Sequence, residues 1–152
     1  MAVTIEIPYH TIWNFDQKRS AVFAYFSKLE TALTAHFPGL DRVKPLGNDV
    51  YLWEFEPLEY SGYKLDFRFN TQFKTKPEES IEAVPTSGGM GKLACTWTFK
   101  ETHGCQVEFR AKLAVDLPVP GLLKSMVSGV ATKEITKLFE RYSASVTQKF
   151  KT

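Results

Sequence analysis

Residues 120–150, PGLLKSMVSGVATKEITKLFERYSASVTQKF, carry the pattern that decides the architecture. Apolar side chains recur there every three to four positions, often as adjacent pairs: Leu122/Leu123, Met126/Val127, Val130/Ala131, Ile135, Leu138/Phe139, Tyr142, Val146 and Phe150. This is one broad apolar stripe along a helix. At 1.5 Å per residue such a helix runs about 45 Å, longer than a small domain needs for simple closure. Laid across a curved antiparallel sheet, it closes either a solid core or a pocket.

The segment before it, Leu40 to Leu117, reads as strands in series. Tyr51, Trp53 and Phe55 share one face of a strand. On the next, Tyr63, Leu65, Phe67, Phe69, Thr71 and Phe73 alternate with Lys64, Asp66, Arg68, Asn70, Gln72 and Lys74. Paired strands must turn their apolar sets to the same side, because a one-residue slip inverts every side chain. That condition sets Glu59 opposite Tyr63, with Tyr60-Ser61-Gly62 as the loop. It likewise sets Glu101 opposite Cys105, with Thr102-His103-Gly104 as the loop, and lays Leu93, Cys95, Trp97 and Phe99 against Val107, Phe109, Ala111 and Leu113. A glycine closing each loop suits a three-residue turn with a left-handed last position. Ser80 to Val84 is a weaker strand, and Ser87-Gly88-Gly89 reads as a loop. One face of the sheet is apolar and the other charged, as in a sheet wetted on one side.

Farther upstream, Val3, Ile5, Ile7 and Tyr9 alternate with polar residues in an opening strand. Asp16 is placed to cap a helix, and Val22, Phe26, Leu29, Leu33 and Phe37 follow at helical spacing. A break near Lys28 or Leu29 divides this stretch into two short helices, and Pro38-Gly39 ends it. Asp116-Leu117-Pro118-Val119-Pro120 ends the sheet, with Pro120 suited to a first helical position. The fold class is α+β.

Composition narrows the function. The chain has 152 residues with 43% hydrophobic and 24% charged residues, which suits one globular domain over 1–152. Its formal net charge of +2 provides no field that calls for nucleic acid. The N-terminus lacks the regions of a signal peptide and no apolar run approaches a membrane span, so a cytoplasmic setting is expected. Cys95 and Cys105 sit at different heights on one hairpin, roughly 20 Å apart by strand rise, too far for a disulfide. Two free thiols fit a reducing compartment.

The order of elements, together with Phe23-Ala24-Tyr25-Phe26, Phe37-Pro38-Gly39-Leu40, Tyr51-Leu52-Trp53-Glu54-Phe55, Gly62-Tyr63-Lys64-Leu65 and Asp116-Leu117-Pro118-Val119-Pro120, resembles the START-like superfamily. This superfamily, also called SRPBCC or helix-grip, includes polyketide cyclases and coenzyme Q-binding proteins, which lie nearest. The resemblance covers nearly the whole chain, with its specificity in order and spacing. It implies a seven-stranded curved antiparallel sheet gripping the C-terminal helix around a cavity, with two short helices after the first strand. Such proteins divide between carriers, sensors and a few enzymes, so fold leaves function open.

If a cavity is present, the inward aromatics would wall it: Trp53 and Phe55, then Phe67, Phe69 and Phe73, then Trp97, Phe99 and Phe109. The alternative is that these rings are simply core. Leu123, Met126, Val127 and Val130 would form the roof. Gly129 costs about 1 kcal/mol inside a helix and so suggests a packing or ligand reason. Tyr51, Tyr63, Thr71 and Cys95 are the polar groups on the same faces. A gap near Gly129 and either Pro38-Gly39 or Ser87-Gly89 would admit the ligand.

Other chemistry is poorly supported. His10, His36 and His103 fall at element ends, with surface roles expected. Metal, P-loop and nucleophile-elbow spacings are absent, so no metal, no cofactor and no catalytic residue is assigned. Cys95 has no base among its expected neighbours. Carboxylates on the sheet face Arg68, Arg110 and Lys112 as cross-strand ion pairs. The terminal helix has a basic outer face, ordinarily a solvated one, which also admits transient contact with a membrane surface. The reading is a protein that binds, carries or senses one hydrophobic small molecule such as a lipid, isoprenoid, quinone or polyketide-like compound. The alternative is a cyclase or dehydratase type of enzyme using the same pocket.

Overall fold

The structure is a computed structural model and describes residues 3–60, 63–65, 68–89, 91–117 and 121–150. Strand β1 (Val3–Phe15) is followed by helices α1 (Arg19–Ser27) and α2 (Leu29–His36). Strands β2 (Leu40–Gly47), β3 (Val50–Phe55), β4 (Leu58–Tyr60), β5 (Tyr63–Leu65), β6 (Arg68–Lys76), β7 (Ser80–Gly89), β8 (Gly91–Glu101) and β9 (Cys105–Leu117) come next. A short 3₁₀ turn, Gly121–Leu123, then leads into α3 (Lys124–Lys149). Seven strands form one antiparallel sheet in the order β1-β9-β8-β7-β6-β3-β2, and β4 and β5 pair as a separate arm. The first two main strands are thus the two edges, and α1 and α2 carry the chain from one to the other. Among the described residues no helix is long and apolar enough to cross a membrane.

Register follows burial. Along β8 and β9, Trp97 lies opposite Phe109 and Glu101 opposite Cys105, as the face pattern requires. Along β3 and β6, Trp53 lies opposite Phe69 and Tyr51 opposite Thr71, the pairing that extrapolates from Glu59 opposite Tyr63. The arm itself differs by one residue: Tyr60 pairs with Tyr63 and Glu59 with Lys64, leaving a two-residue connection; of the expected continuous strand, Tyr63–Leu65 belongs to the arm and Arg68–Lys76 to the main sheet. Buried faces penalise a slip and a short arm does not, which is why the two registers part.

Other expectations need correction. β1 continues to Phe15, with Trp13 and Phe15 buried, because the apolar alternation resumes beyond His10. The N-cap of α1 is Lys18 rather than Asp16, and Lys18 makes no side-chain cap bond. Ser87 to Gly89 belongs to β7, where Gly89 pairs with Phe69. The long helix begins at Lys124 rather than at Pro120, which lies outside the described residues. Gly104 has no positive φ. Its need is steric, since a Cβ there would lie 2.1 Å from the Phe15 carbonyl oxygen. Both cysteines are buried and free, as their separation dictates.

The wet face of the sheet carries ion pairs, Arg42 with Glu54 at 3.2 Å, Arg110 with Glu108 two residues away on the same strand at 3.2 Å and Lys112 with Glu6 at 3.5 Å. His10 adds a contact to Glu108 at 3.0 Å. Hydrogen bonds from His10 and Arg110 hold the Glu108 carboxyl below its usual range.

Candidate functional site

Most of the space between sheet and helix is filled. Trp53, Phe73, Trp97 and Phe109 are buried; the Phe109 ring packs against Phe139 and Tyr142 of α3, and Trp53 against Phe37 at the end of α2. Phe37 stacks on Tyr142 at 3.8 Å between centroids, Trp97 meets Phe109 at 5.3 Å, and Tyr9 stacks on Phe139 at 5.4 Å. Each indole N–H is used internally. Trp53 donates to Thr71 at 2.7 Å, Trp97 to Tyr142 at 2.9 Å and Trp13 to Ser143 at 2.7 Å. An unpaired buried N–H would cost about 1–3 kcal/mol, so Thr71 and Tyr142 serve the packing of their own indoles. Burial pushes the Tyr142 hydroxyl and the Cys95 thiol well up, keeping both neutral.

A cavity of about 250 Å³ survives beside this core. Its floor comes from Phe55, Phe69, Leu93 and Leu113, and its roof from Ile135, Leu138 and Phe139 on α3. Leu93 and Leu113 are direct partners across β8 and β9, so both present side chains to the same spot. The outer wall is Phe37-Pro38-Gly39, with Glu56 and Pro57 beside it. Gly39 takes φ +74°, a conformation open to glycine, and its carbonyl accepts the Glu56 N–H at 2.7 Å. The turn is thereby tied to the end of β3. Charge is confined to the mouth, where Glu134, Lys137 and Arg141 on α3 are exposed and Glu56 stands on the other wall.

Of the positions expected to line a pocket, Phe55 and Phe69 do so. Trp53, Thr71, Phe73, Cys95, Trp97, Phe99 and Phe109 are buried in the packed core instead. Tyr51 is half-buried with its ring edge-on to Phe73. The proposed roof lies too near the start of α3: Val127 is buried, Leu123 and Val130 are half-buried, and none touches the cavity. Met126 is 50% exposed and faces solvent, because it falls on the polar side of the helix. A Cβ on Gly129 would meet no described atom within 4 Å, so neither packing nor a cavity accounts for that glycine. Phe67 and the side chain of Tyr63 lie outside the described residues. The features missed were the helix residues Ile135, Leu138 and Phe139 and the charged mouth. All three apolar residues stood in the sequence stripe, and only their depth along the helix was unread.

His36 also departs from expectation. It is 8% exposed and joins three helices, with Nε2 bonded to the Tyr25 hydroxyl and Nδ1 to the Ser145 hydroxyl at 2.7 Å. Burial, with the positive charge of Lys149 nearby, lowers its pKa from the ordinary value. It lies outside the cavity lining. Among the described residues no cluster of His, Cys, Asp and Glu could hold a metal ion.

A long helix laid over seven antiparallel strands, with a cavity left between them, has counterparts among solved structures. A START superfamily protein from Mycobacterium smegmatis superposes with a TM-score of 0.60 at 15% identity, over 95% of this chain and 96% of that one. The chain has the START-like, helix-grip fold. An aromatase/cyclase, Zhui from Streptomyces sp. R1128, gives 0.56 at 10% identity over 95% of this chain and 90% of that one. The di-domain aromatase/cyclase StfQ of the steffimycin biosynthetic pathway gives 0.56 at 12% identity, covering 93% of this chain but only 48% of its own. The present chain thus spans about half of that larger protein. No family model matches the sequence, and no curated protein does.

Proposed function

We propose that this START-like chain acts as a binding domain that encloses one small apolar or amphipathic molecule beneath α3. The observation that carries the reading is the cavity of about 250 Å³ with apolar floor and roof and a charged mouth. Ligand sites are commonly of this kind, with charged or polar groups few and peripheral. An apolar cavity of about 150 Å³ takes a benzene ring, so this one has room for roughly ten carbon atoms. That is two fused rings or a medium acyl chain, smaller than a whole lipid or quinone tail. Burying on the order of 300 Å² of ligand at about 25 cal/mol per Å² gives about 7 kcal/mol, from which association entropy subtracts several. Affinities of about millimolar or weaker follow. A cyclase would need an acid or base inside the cavity, and the ionisable lining residues among those described stand at its rim.

The test is calorimetric titration with 2-naphthol, a two-ring probe of the right size. Saturable one-to-one binding is expected, and Leu138→Trp, which places an indole in the cavity, should lower the affinity at least about ten-fold while the protein still melts cooperatively. Unchanged binding in that variant would remove the assignment of this cavity.

A further inference from the structure

The mouth of the cavity has a charge pattern that says more about the occupant. Lys137 and Arg141 are one helical turn apart on α3, with side chains about 6 Å apart at their bases, and Leu138 between them is part of the roof. Lys137 has a carboxylate partner, Glu134, but at 3.7 Å, with both side chains roughly half exposed. Such a pair is worth little and yields readily to a better partner. Arg141 has no carboxylate within ion-pair distance among the described residues, although it lines the cavity. Glu134 is seven residues from it, about 10 Å along the helix, where salt screens most of its charge. The other carboxylate at the mouth, Glu56, stands on the far wall beside Pro57.

We propose that the occupant is a monoanionic amphiphile, a carboxylate bearing some eight to ten carbons, whose head group docks between Lys137 and Arg141 while its apolar part fills the cavity. This rests on the cavity being a binding site. The guanidinium fork of Arg141 matches two carboxylate oxygens, and Lys137 adds a point charge from one turn away. Glu56 and Glu134 set the charge limit: a dianion such as a phosphate monoester would carry its second charge toward them, and like charges across a mouth disfavour the wrong ligand. A cationic head seeking Glu56 would instead meet both basic side chains.

Three probes with one eight-carbon tail separate the terms: octanoate, 1-octanol and octylammonium, titrated calorimetrically near neutral pH into the parent protein, Arg141→Gln and Glu56→Gln. Octanoate should bind about ten-fold more tightly than 1-octanol at low salt, with the advantage shrinking toward about 0.5 M salt. Arg141→Gln should remove most of that advantage and leave 1-octanol within about two-fold of the parent, while Glu56→Gln should tighten octanoate. Equal binding of all three probes, preference for octylammonium, or an octanoate-to-octanol ratio untouched in Arg141→Gln would each overturn the head-group assignment while leaving the cavity as a site. Failure of every probe to bind would remove the cavity reading itself.

Discussion

A histidine held between two hydroxyls is well satisfied when neutral, because one ring nitrogen donates, the other accepts, and Tyr25 and Ser145 can each serve either role. Burial and Lys149 make the protonated form of His36 unfavourable in the folded chain. The unfolded chain, with an ordinary histidine near 6.5, therefore takes up the proton first. Stability should be flat above about pH 7, decline as pH falls through about 6.5 and level off below the lowered folded-state value. Urea midpoints measured across this range should show the decline, and His36→Gln should flatten it. Gly129 offers a simpler case. It sits on the exposed face of α3 in a helical backbone, and a methyl group there would touch no described atom within 4 Å. Gly129→Ala should raise stability by about 0.5–1 kcal/mol, read as a higher denaturation midpoint with an unchanged slope.

At the level of elements, α3 is fastened unevenly. Its side-chain hydrogen bonds to other elements, Tyr142 with Trp97, Ser143 with Trp13 and Ser145 with His36, fall in its final turns. Just beyond, the Phe150 carbonyl accepts from Gln17 and its ring stacks on Phe15 at 4.6 Å. The opening turns carry the exposed Met126 and Gly129. Amide exchange along α3 should therefore be graded, fastest over 125–130 and slowest over 139–146, because local opening tracks missing tertiary contacts. Uniform protection would contradict this unequal fastening. The same elements show what a sequence discloses. Trp97 opposite Phe109 and Trp53 opposite Phe69 were legible because burial on one face allows a single register. The β4–β5 arm was not, since a short hairpin away from the main sheet lacks that constraint.

Over the whole molecule, the strands and the long helix were readable from periodicity, and the resemblance to the START-like superfamily implied that the sheet grips the helix around a cavity, but the place of the cavity was not legible. Periodicity reports which face of α3 is inward. It does not report that the rings of Phe37, Tyr142 and Trp97 fill one region while Leu93 and Leu113 leave space in another. Charges at the mouth were equally hidden, since an exposed lysine beside a cavity and one on an open face look alike in a sequence. The buried thiols permit a global check. Cys95 is 1% exposed and Cys105 0%. Burial raises both thiol pKa values, which suppresses the reactive thiolate. A disulfide-exchange reagent should find no fast-reacting thiol in the native protein and two in denaturant. A rapid native reaction would show that the sheet and helix separate easily.

The uneven attachment of α3 gives it the mechanics of a lever. With its fulcrum near Ser145, Leu138 stands about 10 Å out and Lys124 about 32 Å out along the axis. With α3 moving as a rigid rod, an occupant that raises the roof at Leu138 by about 1 Å would lift the far tip by about 3 Å, against the packing of Val127 and Ala131. A bulkier guest would thus be reported at the far tip as a larger displacement than at the cavity itself.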